Sequence, residues 1–360
     1  MQDHPILVHE LLQEATRRKA SDLMLTVGLP PMLRIDGTWE RTAHEKLSPQ
    51  AVITLTDALM NERQAERFAA SKDLDFSLSL PGHGRYRVNL FQQRSSRGAV
   101  IRTIADDIPS LETLGLPRSI EDIADLSMGL VLVTGPSGSG KSTTLAALIE
   151  RINQRHAKHV LTLEDPIEFF HKHGKSIINQ REIDSDSESF ASALRSALRQ
   201  APDVIMVGEM RDYETISAAL TTAETGHLVL ATLHTNSAAE AVDRITDVFP
   251  EGQQELVRML LAGNLQAVIT QQLMPRHRQG GRVLAYEYLT ATPAIRSLIR
   301  EGKAHMIPAQ IQMGASAGMI TMDSCLVRLY KQEQISWETG RERAADPKEF
   351  ERLSAARHNL

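Results

Sequence analysis

The chain has 360 residues, 42% of them hydrophobic and 24% charged, which excludes a wholly disordered or fibrous protein. Forty basic side chains against forty-five acidic ones leave a net charge of −5, which disfavours nucleic-acid binding as the main task. One cysteine, Cys325, makes neither an internal disulfide nor a multi-thiolate zinc site, and no secretory leader or membrane-length apolar run is present, so the cytosol is expected.

Leu7, Leu11, Leu12 and Ala15 share one face at helical spacing, so 5–19 reads as an amphipathic helix. Short apolar runs broken by Gly28, Pro30 and Pro31 follow, and Asp36-Gly37 between extended segments predicts a hairpin. Ser48-Pro49 offers an N-cap and a first-turn proline to a helix running to Ser71. From 75 to 104 the pattern has period two, with Phe76, Leu78 and Leu80, then Tyr86, Val88 and Leu90, and turns at 82–84 and 95–98. Residues 1–105 thus read as a small α+β domain with a mostly antiparallel sheet. Residues 106–117, with Asp106, Asp107, Pro109, Gly115 and Pro117 and little periodicity, read as a linker.

The pattern changes from 118 to 360. Apolar strands at 130–134, 160–163, 204–207 and 228–233 alternate with helical stretches at 142–154, 188–200 and 212–224, the signature of a parallel sheet covered on both faces. Beyond Asn236 the chain reads as mainly helical, with a hairpin around 276–289, a flexible loop at 314–318 and a polar, helical or frayed end.

Gly135-Pro136-Ser137-Gly138-Ser139-Gly140-Lys141-Ser142 fits the phosphate-binding loop, with a strand before it and a helix from Thr143 onward. Its glycines free backbone N–H groups to point at phosphate oxygens at a helix N-terminus. Lys141 reaches the β- and γ-phosphates, and the Ser142 hydroxyl suits Mg²⁺. Glu164 and Asp165 end the strand at 160–163, at the sheet edge where such folds bind ligands. Glu164 suits the activation of water, while Asp165 and Glu168 suit the waters of a metal. The strand at 204–207 ends in Gly208-Glu209, so Glu209 stands where many phosphate-loop enzymes place an Asp that meets Mg²⁺ through water. Asp212 is an N-cap candidate, and Arg211 either serves the site or pairs with Glu209. His227 and His234 flank the strand at 228–233; His234, at its C-terminal end, is the better placed to sense a γ-phosphate. His171 and His173 read as surface residues. Arg85, Arg87, Arg97 and Arg102 precede the linker, and Arg87 and Arg102 are taken as the candidates to cover a nucleotide.

Four segments together resemble the bacterial type II/type IV secretion ATPases: 135–142, the acidic box 163–169, the run from Leu194 to Asp212, and the histidine box from Thr225 to Thr235. Ala20-Ser21-Asp22-Leu23, Gly28-Leu29-Pro30-Pro31, the segment 294–301 and Met322-Asp323 are similar to the type IV pilus retraction branch of that family. The resemblance implies a PAS-like N-terminal domain and a RecA-like ATPase domain with a helical C-terminal part, in a cytoplasmic homo-hexamer binding ATP and Mg²⁺ between its domains. It implies Glu164 as the catalytic carboxylate, Glu209 as the Walker B acid, and His227 with His234 as the histidine box. It implies work at the inner membrane through a platform protein, with a second retraction ATPase as a potential companion. An accessory retraction motor is the nearest alternative. Assembly and secretion motors usually carry a further N-terminal domain and a four-cysteine zinc insertion, for which this chain has neither the length nor the thiols. A RecA-like translocase on nucleic acid would call for a basic, aromatic channel, which 4% aromatic content argues against. The segment 294–301 is expected to bury Ile295, Leu298 and Ile299 and to turn Arg296, Arg300 and Glu301 outward, for packing or for a partner.

Overall fold

The computed structural model describes residues 7–35, 37–80, 84–104, 108–278 and 280–355. Pro5, Asp36, the turn residues 82–83, Asp106, Asp107 and the tail from 356 lie outside the described residues. The chain divides into two units, Met1–Asp107 with Glu168–Phe170, and Ile108–Ile167 with His171–Leu360.

In the first unit, helix α1 (Val8–Arg17) buries Val8, Leu11, Leu12 and Ala15 and leaves Leu7 in solvent. Strands β1 (Asp22–Leu25), β2 (Met32–Ile35) and β3 (Thr38–Arg41) follow, and Ile35 pairs with Thr38 across the expected hairpin. The single helix expected at 48–71 is two, α2 (Pro49–Asp57) and α3 (Glu62–Ser71). The break has a local cause: Asn61 and Gln64 exchange side-chain and backbone hydrogen bonds in a capping box, which starts a new helix rather than prolonging the old one. Strands β4 (Asp73–Leu80), β5 (Gly84–Gln93) and β6 (Ser96–Ile104) complete an antiparallel sheet ordered β3-β2-β1-β6-β5-β4. Tyr86, Val88 and Leu90 of β5 face the core with Leu23, Leu33, Ala99 and Ile101, as their period-two spacing requires.

The second unit begins before the helix α4 (Arg118–Glu121): Leu111 and Leu116, inside the segment that reads as a linker, are buried in its core. Its elements continue as β7 (Gly129–Thr134), α5 (Lys141–Arg155), β8 (His159–Glu164), β9 (Ile177–Glu182), α6 (Phe190–Ala197), β10 (Val204–Val207), α7 (Tyr213–Glu224), β11 (Leu228–Leu233), α8 (Ala238–Asp247), α9 (Glu251–Asn264), β12 (Leu265–Pro275) and β13 (Arg282–Thr290). Five short helices end the described chain: α10 (Pro293–Arg300), α11 (Ile307–Met313), α12 (Met322–Lys331), α13 (Trp337–Arg343) and α14 (Pro347–Ala355). The sheet is ordered β13-β12-β7-β11-β10-β8-β9 and is parallel except at β13. Both faces are covered. Leu130 and Leu132 of β7 pack with residues of α6 to α11, whereas Val131 and Val133 pack with α5, α12 and Phe350 of α14.

Two strands depart from the sequence reading. The hairpin expected at 276–289 begins at Leu265, because α9 runs into β12 with no turn residue to mark the change of period. Strand β9 is a polar edge strand, with Ile177 exposed and Ile178 buried, and so lacks an apolar signal. The loop expected at 314–318 contains a 3₁₀ turn at Ala315–Ala317. In α10, Ile295 and Ile299 are buried as expected, but Arg296 does not stand outward: it donates to the carbonyls of Ala262, Gly263 and Ala291 at 2.5, 2.8 and 3.0 Å.

Candidate active site

The loop between β7 and α5 is shaped by its glycines. Gly135, Gly138 and Gly140 have φ of 138°, 75° and 92°, values that side-chain-bearing residues rarely adopt. A Cβ on Gly135 would collide with the main-chain oxygen of Gln271 on β12, so this position is closed to every other residue. Helix α5 starts at Lys141 with no side-chain cap, which leaves its first-turn N–H groups for an acceptor from outside. Lys141 is nearly buried, and its ammonium donates to the carbonyls of Gly135 and Pro136 at 2.8 and 3.1 Å. The Ser139 hydroxyl is buried without a hydrogen-bond partner. A cradle of open N–H groups, one buried cation and an unsatisfied hydroxyl fits an anion of phosphate size.

The parallel register brings the acids to the same sheet edge. Leu132, Ala231, Val207 and Leu163 are successive partners across β7, β11, β10 and β8, so Thr134, Leu233, Glu209 and Asp165 lie one step of two residues further along each strand path. Glu164 is buried; the Thr162 hydroxyl and the Gln180 amide donate to its Oε1 at 2.6 and 3.1 Å. Gly208 donates its N–H to Leu163 O at 2.7 Å, and a Cβ there would sit 3.1 Å from that oxygen and 3.3 Å from Glu164 Cα. The missing side chain lets the ends of β8 and β10 lie together. Glu209 meets His234 Nε2 at 3.0 Å and is paired with the Arg211 guanidinium as well. The bond to Glu209 foremost, with help from the Asp165 charge, holds Arg211 protonated above its ordinary range. Thr235, next to His234, is buried and its hydroxyl has no partner. Asp212 caps α7 by accepting from Thr215 N at 2.8 Å, which leaves it structural.

His227 stands at the N-terminal end of β11, where Leu228 pairs with Gly129; six residues of strand, about 20 Å at ~3.3 Å each, separate it from His234. Its Nδ1 lies 3.2 Å from Thr222 O. His171, expected at the surface, is buried behind α5, with Nδ1 3.7 Å from Glu150 Oε2, while His173 is exposed. In the first unit Arg87 and Arg102 are direct cross-strand partners; Arg102 donates to the buried Asp22 at 2.9 Å, and Arg87 lies 3.7 Å from Asp75. Arg97 pairs with Asp57 over the Phe68 ring, which ties it to its own unit. Thr162, Gln180 and Gln271 escape a reading of the sequence. Each is a polar residue inside a strand; Thr162 meets Glu164 two residues on, on the same face of β8, but nothing in the local pattern says which partner Gln180 or Gln271 meets.

The hydroxyls of Thr134, the last residue of β7, and Thr270, inside β12, are 2.8 Å apart, which joins the two strands just below the loop. Among the described residues no group of three His, Cys, Asp or Glu side chains is gathered for a metal.

Residues 2–287 match the family of type II/IV secretion system proteins. The type IV pilus retraction ATPase PilT of Pseudomonas aeruginosa is 49% identical over 343 residues, 95% of this chain and 99% of that protein. A twitching motility protein of Neisseria gonorrhoeae is 50% identical over 314 residues, 87% of this chain and 84% of that one. The crystal structure of the pilus retraction motor PilT with bound ADP has a TM-score of 0.91 at 47% identity, covering 96% of this chain and 99% of that one.

Proposed function

We propose a function from one premise: the chain belongs to the type II/IV secretion system protein family. It is a motor ATPase that powers type IV pilus retraction and so twitching motility. One observation carries the chemistry: the phosphate cradle after β7 and the acids Glu164 and Glu209, at the ends of β8 and β10, share one edge of the same parallel sheet, with β11 between. Full-length likeness to retraction ATPases supports the task.

In this reading the N–H groups of 135–143 and the Lys141 ammonium bind the β- and γ-phosphates, with Ser137, Gly138, Ser139 and Thr143 lining the loop. Ser142 and, through water, Glu209 hold Mg²⁺, which offsets phosphate charge when bound. Glu164 orients the attacking water and takes its proton; the donors Thr162 and Gln180 fix its carboxylate. His234, bonded to Glu209, reports the terminal phosphate to β11. Arg87 and Arg102 are the candidates for added positive charge, and Asp165, Arg211 and His227 act in support. Six copies form the working ring in the cytoplasm, with an inner-membrane platform protein as partner and a second retraction ATPase as a companion. No helix of the described residues is long and apolar enough to cross a membrane.

Hydrolysis assays on the purified chain test this. Lys141→Ala removes the charge-assisted phosphate contact and loses ATP binding and turnover together. Glu164→Gln keeps ATP binding while turnover falls about a hundredfold or more. Parental turnover by Glu164→Gln would sink the assignment of the base.

A further inference from the structure

The wall behind the phosphate loop contains an unusual residue. Gln271 is fully buried in β12, its amide N–H₂ donates to Thr144 Oγ1 at 2.7 Å, and its Oε1 has no partner. An apolar side chain of that volume would fill the same space without stranding an acceptor. The target of the donated bond is informative. Thr144 is itself buried, belongs to the first turn of α5, and donates its own N–H to Gly140 O at 3.0 Å. That turn carries Lys141 and Ser142. One residue earlier, Thr270 and Thr134 join their hydroxyls, and the main-chain oxygen of Gln271 occupies the space a Cβ on Gly135 would need. Strand β12 therefore grips the loop at its beginning, Gly135, and at its end, Thr144.

We infer that Gln271 is a positioning residue for ATP hydrolysis: through Thr144 it locks the first turn of α5 against β12, so that Lys141 and Ser142 meet the phosphates in a loop already in register. Preorganised donors act most strongly where no reorganisation is needed at the moment of reaction, so a slack first turn weakens phosphate binding and the chemical step alike. The inference rests on the ATP site proposed above.

The test is a double-mutant cycle on the full chain with three readouts: melting temperature without nucleotide, ADP affinity by titration, and kcat and KM for ATP. Gln271→Met keeps the volume and removes the amide; Thr144→Val keeps the shape and removes the acceptor. Each single variant is expected to lower kcat/KM about tenfold and to weaken ADP binding, and the double variant to be no worse than the poorer single one. Thr144→Ser, which retains the acceptor, is expected to stay near parental activity, and it keeps the test alive if Gln271→Met does not fold. A fall in melting temperature with kcat, KM and ADP affinity unchanged would reduce Gln271 to packing and overturn the inference. Losses that multiply in the double variant would overturn the route through Thr144. Failure of the parental chain to bind ADP or hydrolyse ATP would instead remove the ATP site itself, a result separable from both.

Discussion

Burial of His171 opposite Glu150 pushes its imidazole below the ordinary range, desolvation outweighing the attraction of the carboxylate. The folded state thus favours the neutral ring. The unfolded chain binds more protons near and below about pH 6.5, so the stability held by His171 is complete above that pH and is lost as pH falls through the window beneath it. His171→Gln should therefore flatten the decline in denaturation midpoint between about pH 7 and pH 5. An equal decline in variant and parent would show that His171 titrates alike in both states. The misplacement of His171 at the surface has a plain cause: in His171-Lys172-His173 nothing local marks which imidazole turns inward. The phosphate loop was legible because its signal lies within eight consecutive residues, Gly135 to Ser142. The groups that tune the site were not legible. Gln180 reaches Glu164 from the neighbouring strand, 16 positions away, and Gln271 reaches Thr144 of α5 across 127 positions of chain.

At the level of elements, the sequence patterns located most strands of the second unit because parallel, doubly covered strands are continuous apolar runs. They failed where that rule fails, at the polar edge strand β9 and at β12, which follows a helix without punctuation. Helix α10 is the instructive case. Its spacing placed Ile295 and Ile299 inward, but spacing alone could not show that Arg296 reaches across to the open carbonyl end of α9. Its Nη1 donates to both Ala262 O and Gly263 O, two of the acceptors every helix leaves at its C-terminus, while Nε and Nη2 of the same planar fork reach Ala291 O and Gln266 Oε1. Arg296→Lys keeps the charge but not the fork, and it is expected to cost about 1–3 kcal/mol in thermal or denaturant unfolding. An unchanged unfolding midpoint would return Arg296 to the role of a surface charge. Arg300 and Glu301, by contrast, leave the helix outer side open, with Glu301 held by Ser297 and Lys303 at 2.8 Å each.

For the whole molecule, the two units divide the fold between an antiparallel α+β layer and a parallel ATPase sheet. Nothing in the phosphate chemistry says which way a filament moves: the same cradle and acids would serve assembly or retraction. The direction rests on likeness over 95% of the chain to a retraction ATPase. The segment 294–301, read from sequence as packing or a partner surface, contributes at least packing, through Ile295, Ile299 and Arg296. The measurement that reaches the central claim is the count of surface pili, together with twitching, in cells lacking this gene and in the same cells given it back. Retraction predicts cells that keep their pili, in raised number, yet do not twitch until the gene is restored. Bald cells that regain pili with this gene alone would contradict retraction and make the chain an assembly motor.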